Sequence, residues 1–110
     1  MIITVLGENQ NIETLNETLN DKKVVLDFYA DWCGPCKTLT KTLNNLIKDE
    51  KLENVHIIKV DVEKHNNIAR QFNVRAMPTL IFMKNGKNLH TKVGAPSETI
   101  FKELIEQVYE

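Results

Sequence analysis

Val24-Val25-Leu26-Asp27-Phe28-Tyr29-Ala30-Asp31-Trp32-Cys33-Gly34-Pro35-Cys36-Lys37 is the stretch on which the reading of this 110-residue chain turns. It opens with a run from Val24 to Ala30 that is apolar apart from the Asp27 carboxylate, the pattern of a strand covered on both faces of a parallel sheet. It closes on the only two cysteines of the chain, directly after that strand and at the start of a helix. In open α/β sheets, sites form outside the carboxyl ends of strands, so chemistry is expected at this junction.

Two intervening residues place the sulfurs of Cys33 and Cys36 about one helical turn apart, within the Cα separation a disulfide tolerates. Such a bridge is a poor structural staple, because stabilisation through unfolded-chain entropy grows with loop length and this loop is very short. A redox purpose explains the spacing better. Cys33 falls at the helix N-terminus, where unpaired N–H groups and the helix dipole favour the nucleophilic thiolate. Cys36, one turn further on, is expected to be more shielded and to resolve a mixed disulfide. Pro35 limits the turn and lacks an N–H that would be unpaired there, and Gly34 lets the backbone pass close to a substrate. A zinc site is the competing reading. It needs two more ligands from His56, His65 and His90, and the spacing of His56 and His65 does not match a zinc finger. No metal is expected, and the histidines read as solvent-facing.

On the amino-terminal side of this stretch, Ile2 to Leu6 suits a first strand, and Ile12, Leu15 and Leu19 mark one face of a helix. On the other side, Leu39, Leu43, Leu46 and Ile47 form the apolar stripe of the helix that begins near Cys36. Val55 to Val62 predicts a third strand, and Asn66 to Phe72 a short helix burying Ile68 and Phe72. Thr79 to Met83 and Asn88 to Val93 flank Lys84-Asn85-Gly86-Lys87, whose Asn-Gly pair signals a tight antiparallel hairpin. Ser97 is placed to cap a last helix, with Ile100, Leu104, Ile105 and Val108 as its buried stripe. Strands alternating with helices, finished by a hairpin and a helix, predict an α/β fold around one mixed central sheet.

The length fits a single domain over residues 1–110, and 42% hydrophobic with 26% charged residues is an ordinary globular composition. Fourteen basic against fifteen acidic residues leave a net charge of -1, so no strong field draws the chain to nucleic acid or an anionic membrane. The amino terminus lacks a basic leader, and no apolar run approaches the roughly eighteen residues of a membrane helix. A cytoplasmic location is expected, which makes the glycosylation spelling Asn16-Glu17-Thr18 a chance match.

Asp27 to Lys37 resembles the active-site segment of the thioredoxin family almost residue for residue. Arg75-Ala76-Met77-Pro78-Thr79 resembles the family's second loop, Phe82-Met83-Lys84-Asn85-Gly86 its hairpin, and Lys92-Val93-Gly94-Ala95 the third loop beside the site. The resemblance implies a thioredoxin fold with a mixed five-stranded central sheet flanked by four helices. It implies a protein thiol–disulfide oxidoreductase whose redox-active disulfide is Cys33–Cys36, with no bound cofactor. Thioredoxin reductase would recharge it, drawing on NADPH, and its partners would be disulfide-containing proteins met as a monomer. By the same resemblance Asp27 is the buried carboxylate that takes the proton of the resolving cysteine through water, and burial would raise its pKa toward the range of a general base. Lys59 matches a lysine near that carboxylate, and Pro78 the cis-proline facing the cysteines. Trp32, Gly34, Pro35, Ala76, Met77, Val93 and Gly94 would form the substrate surface, with the Met77 peptide groups open to brief strand pairing. Tyr29 stands where many bacterial members carry a second tryptophan, Lys41 where many have a helix-kinking proline, and Pro96 would stiffen the third loop. Gly34-Pro35 and the missing leader disfavour a glutaredoxin or an oxidising isomerase domain; a non-redox binding module remains the reading from another class.

Overall fold

The computed structural model of the chain describes residues 1–18, 20 and 22–110. Its elements run β1 (Ile2–Val5), α1 (Ile12–Thr18), β2 (Lys23–Tyr29), α2 (Gly34–Asn45), β3 (Val55–Asp61), α3 (Asn66–Gln71), β4 (Thr79–Lys84), β5 (Lys87–Val93) and α4 (Glu98–Val108), with a single 3-10 turn at Glu50–Leu52. The strands form one sheet in the order β1-β3-β2-β4-β5. β3 lies parallel to both β1 and β2, while β4 is antiparallel to β2 and β5 to β4. The α/β architecture of five strands and four helices is the one the sequence predicts.

β2 is central because its residues can be buried on both faces. Val24, Leu26 and Phe28 pack with Ile12 of α1 and Ile68 and Ala69 of α3. Val25 points the other way, into a cluster with Leu39 and Leu43 of α2 and Phe101 and Ile105 of α4. Full burial of each large apolar side chain contributes roughly 1.5–3 kcal/mol, which fixes the register of a strand whose side chains alternate between faces. Asp27 and Lys59 share the parity of Val25 and Ile57, so both lie on the α2 side of the sheet.

The hairpin between β4 and β5 turns at Asn85 and Gly86, with φ of 52° and 78°. Positive φ at both central residues belongs to the turn whose twist matches paired strands, and it is the reason Asn-Gly stands there.

Local pattern and packing part company at several positions. α2 ends at Asn45 with Leu46 as its C-cap, so Ile47 leaves the helical stripe and is 40% exposed. In α4 Phe101 joins Ile105 in the core, with Ile100 turned out at 43% exposure. Neighbouring residues point about 100° apart on a helix, and the larger ring takes the inward place. Phe72 caps α3 from just beyond its end and is only partly buried, with its ring 5.7 Å from that of Phe28. Leu19, expected on the face of α1, lies outside the described residues. The histidines are not uniformly solvated. His65 is buried at the start of α3 and His56 is half-buried with Nε2 2.7 Å from Thr4 Oγ1, leaving His90 exposed.

Candidate active site at the β2–α2 junction

β2 delivers its carboxyl end to the edge of the sheet, and Asp31-Trp32 bridges from it to α2. Cys33 is the N-cap of α2, with Pro35 inside the first turn. Proline suits that place because its missing N–H would find no helical partner. Cys33 and Cys36 are bonded as a disulfide with Cα atoms 5.3 Å apart. The Cys36 N–H donates to Cys33 Sγ at 3.2 Å, which aims an unpaired helix-end donor at the sulfur meant to carry negative charge. Met77 O lies 3.6 Å from the same sulfur. The difference in shielding expected between the two cysteines is absent, since their residues are 5% and 4% exposed. Both sit in a cluster with Ala30 against Tyr29, Val62 and Met77, so the asymmetry lies in position on the helix and in hydrogen bonding, not in burial.

Beneath the helix, Asp27 is 1% exposed, and its Oδ1 has no hydrogen-bond partner among the described residues. Burial pushes its pKa up from the ordinary 3.8 to about 6, with the Lys59 ammonium pulling partly back. Lys59 is the register neighbour of Asp27 on β3, yet the two make no ion pair. Lys59 Nζ instead donates to Thr40 Oγ1 at 2.9 Å and lies 4.7 Å from the centroid of the Tyr29 ring. Thr40 Oγ1 in turn donates to Cys36 O at 3.1 Å. Sequence reasoning missed Thr40. Its signal was position, four residues after Cys36 and therefore one turn along the same face of α2.

The loop at Met77 packs against the sulfurs, and the loop at Gly94 is bonded to it. The Met77–Pro78 peptide bond is cis, Thr79 Oγ1 donates to Ala76 O at 2.6 Å, and Gly94 N–H donates to Pro78 O at 2.8 Å. Gly94 has φ of 95°, a backbone conformation that side-chain-bearing residues rarely adopt. Around the pair Trp32 is 68% and Val93 58% exposed, Gly34, Pro35 and Ala76 are exposed, and Met77 and Gly94 are half-buried. Pro96, beyond the third loop, is buried. Of the residues singled out from the sequence, Met77 packs against the disulfide, Gly94 is bonded to Pro78, and Lys59 is linked to Cys36 through Thr40. Among the described residues no group of three or more His, Cys, Asp and Glu side chains is arranged to hold a metal ion.

A bonded Cys-x2-Cys pair at a helix N-terminus, at the carboxyl edge of a mixed sheet, defines a thiol–disulfide oxidoreductase. The thioredoxin family model matches residues 5–107. Thioredoxin-T of Drosophila melanogaster is 41% identical over 96 residues, covering 84% of this chain and 60% of its own length, so the chain spans less than two thirds of that relative. Thioredoxin of Mycoplasmoides gallisepticum is 40% identical over 86 residues, covering 78% of this chain and 84% of its own. Thioredoxin Y, chloroplastic, of Oryza sativa is 35% identical over 106 residues, covering 93% of this chain and 62% of its own. Among solved structures, the reduced thioredoxin of Schistosoma mansoni superposes with a TM-score of 0.86 at 36% identity, covering 98% of this chain and 99% of that one. The chain belongs to the thioredoxin family, and it is a protein-disulfide reductase acting on disulfide-containing targets through Cys33 and Cys36.

Proposed function

We propose that the dithiol form attacks target disulfides through Cys33 and is resolved by Cys36 with Asp27 as proton acceptor. The Cys33 thiolate forms a bond to one target sulfur, and the other target sulfur leaves as a thiolate that takes a proton. Cys36 gives its proton to the Asp27 carboxylate through water and attacks Cys33 Sγ. The mixed disulfide breaks, and the target's second sulfur leaves reduced. The target gains two electrons and two protons, and Cys33–Cys36 is left oxidised. Thioredoxin reductase restores the dithiol with electrons from NADPH, the family's means of recharging.

The observation that carries this division of roles is the N–H of Cys36 directed at Cys33 Sγ, because it lowers the cost of a thiolate at Cys33 alone. The exposed faces of Trp32, Val93 and Ala76 give a target an apolar resting place beside Gly34, Pro35 and Gly94. The peptide groups of Met77, ahead of Pro78, offer it a short strand pairing. Such recognition depends little on target sequence. We further assign residues 1–110 to one monomeric, cytoplasmic domain, resting on its composition, its near-neutral charge and the absence of any described helix long and apolar enough to cross a membrane.

The test uses a defined disulfide-bonded substrate protein. Cys36→Ser is expected to accumulate a covalent adduct on Cys33 that dithiol reagents release, and Cys33→Ser to form none. Equal trapping by both variants, or by neither, would overturn the division of roles.

A further inference from the structure

We propose that Thr40 is a positioning residue, whose hydroxyl holds the Lys59 ammonium against the Tyr29 ring and away from Asp27, leaving that carboxyl unpaired beneath the redox pair. Its consequence for turnover rests on the reading of Asp27 as proton acceptor; the placement itself does not.

Asp27 and Lys59 are register neighbours on parallel strands and face the same side of the sheet. A buried carboxylate beside an ammonium ordinarily pairs with it, because each charge left alone in a poorly solvated place is costly. Here they do not pair: Asp27 Oδ1 has no partner, and Lys59 donates to Thr40 at 2.9 Å while lying 4.7 Å from the Tyr29 ring centroid. A threonine hydroxyl has one proton and two lone pairs. Thr40 spends the proton on Cys36 O at 3.1 Å and offers a lone pair to Lys59, so helix α2 fixes where the charge sits.

The groups facing Asp27 are few. β3 contributes Lys59, β2 itself Tyr29, and β4 the apolar Leu80 opposite, while α2 covers this side of the sheet with Leu39 and Leu43. Asp31 and Asp61 act on Tyr29, whose pKa is raised by burial first and then by these carboxylates and Asp27. Lys59 is thus the cation that acts on Asp27, against the larger effect of burial, and Thr40 is what holds Lys59 in place. Thr40→Val keeps the shape and removes the acceptor, so the ammonium loses its partner and the unpaired Oδ1 is open to it. An opposite charge closing on a carboxylate favours its ionised form and weakens it as a base.

The experiment follows the Asp27 carboxyl by carbon NMR across a pH titration of the oxidised protein, with no substrate present. Thr40→Val is expected to lower the Asp27 midpoint by about one pH unit. Thr40→Ser, which keeps the hydroxyl, is expected to leave it within about 0.2 units. In a Lys59→Met background, adding Thr40→Val is expected to shift nothing further. Thr40→Ala serves the same purpose should the valine variant fold poorly. An unchanged midpoint without the hydroxyl, or a shift that persists without Lys59, would overturn the proposal. Because the titration involves no thiol exchange, its outcome is independent of the adduct-trapping test.

Discussion

Asp27 is a carboxyl 1% exposed in the central strand, and its burial has a cost in stability whether or not it serves as the proposed proton acceptor. Its carboxyl has a folded-state pKa of about 6 against an ordinary 3.8, so between those values the native state binds more protons than the unfolded chain. Stability is therefore greatest below about pH 4 as far as this group is concerned, and is lost as pH rises through about 6. The gap corresponds to roughly 3 kcal/mol. Asp27→Asn, which has nearly the same shape and no charge, is expected to be more stable than the parent by about 2–3 kcal/mol at pH 7.5, with the difference vanishing near pH 4. Urea unfolding at both pH values measures it; equal stability at pH 7.5 would mean the carboxylate is better solvated than its burial implies. The same substitution should also remove the inflection near pH 6 from the rate at which Cys36 resolves the mixed disulfide.

At the scale of elements, two helix N-termini are capped by different chemistry, that of α2 at the disulfide and that of α4 against the far end of α2, where Asn45 donates to Glu98 at 3.3 Å. The N-terminus of α2 is capped by a reactive sulfur, Cys33, in place of the usual oxygen. That of α4 is capped in the ordinary way, with Ser97 Oγ accepting the Ile100 N–H at 3.2 Å. Ser97→Ala is expected to cost about 1 kcal/mol of stability, read as a lowered denaturation midpoint with an unchanged slope, and to leave disulfide reduction unaffected. A larger loss would show that α4 relies on its cap more than on its packing. The short β1 and the largely exposed β5 form the sheet's edges, while β2, β3 and β4 carry the buried residues that hold Asp27 in place.

Across the whole molecule, the carboxyl-terminal end of the chain is tied back to the centre of the sheet. Tyr109 Oη lies 3.0 Å from Val24 O on β2 and 2.8 Å from Met83 O on β4. Its ring packs in the cluster that contains Leu39, Leu43 and Phe101. Burial raises the Tyr109 pKa well above its ordinary value, so the hydroxyl stays protonated throughout the physiological range. Tyr109→Phe keeps the ring and removes the single O–H that the two carbonyls share, an expected loss of about 1–2 kcal/mol. Thermal unfolding should record it as a single cooperative transition at lower temperature. No change would place the tether's value entirely in the ring.

Much of this protein was legible locally. The apolar run from Val24 to Ala30 specifies a central strand because only a two-sided environment rewards it, and Asn85-Gly86 specifies a hairpin because few residues accept positive φ twice in succession. The Cys33–Cys36 spacing, placed between strand and helix, carries the chemistry in the same local way. Other features depend on what the chain brings together across long separations. Whether Phe101 or Ile100 turns inward follows from the docking of α4, and the near-equal burial of Cys33 and Cys36 from the loop at Met77 closing over both. That His65 is buried follows from α3 packing against the sheet. The pairing of Lys59 with Thr40 instead of Asp27 joins a strand to a helix nineteen residues away in the chain. Periodicity reports which face a residue prefers, but the partner it meets there is chosen by packing.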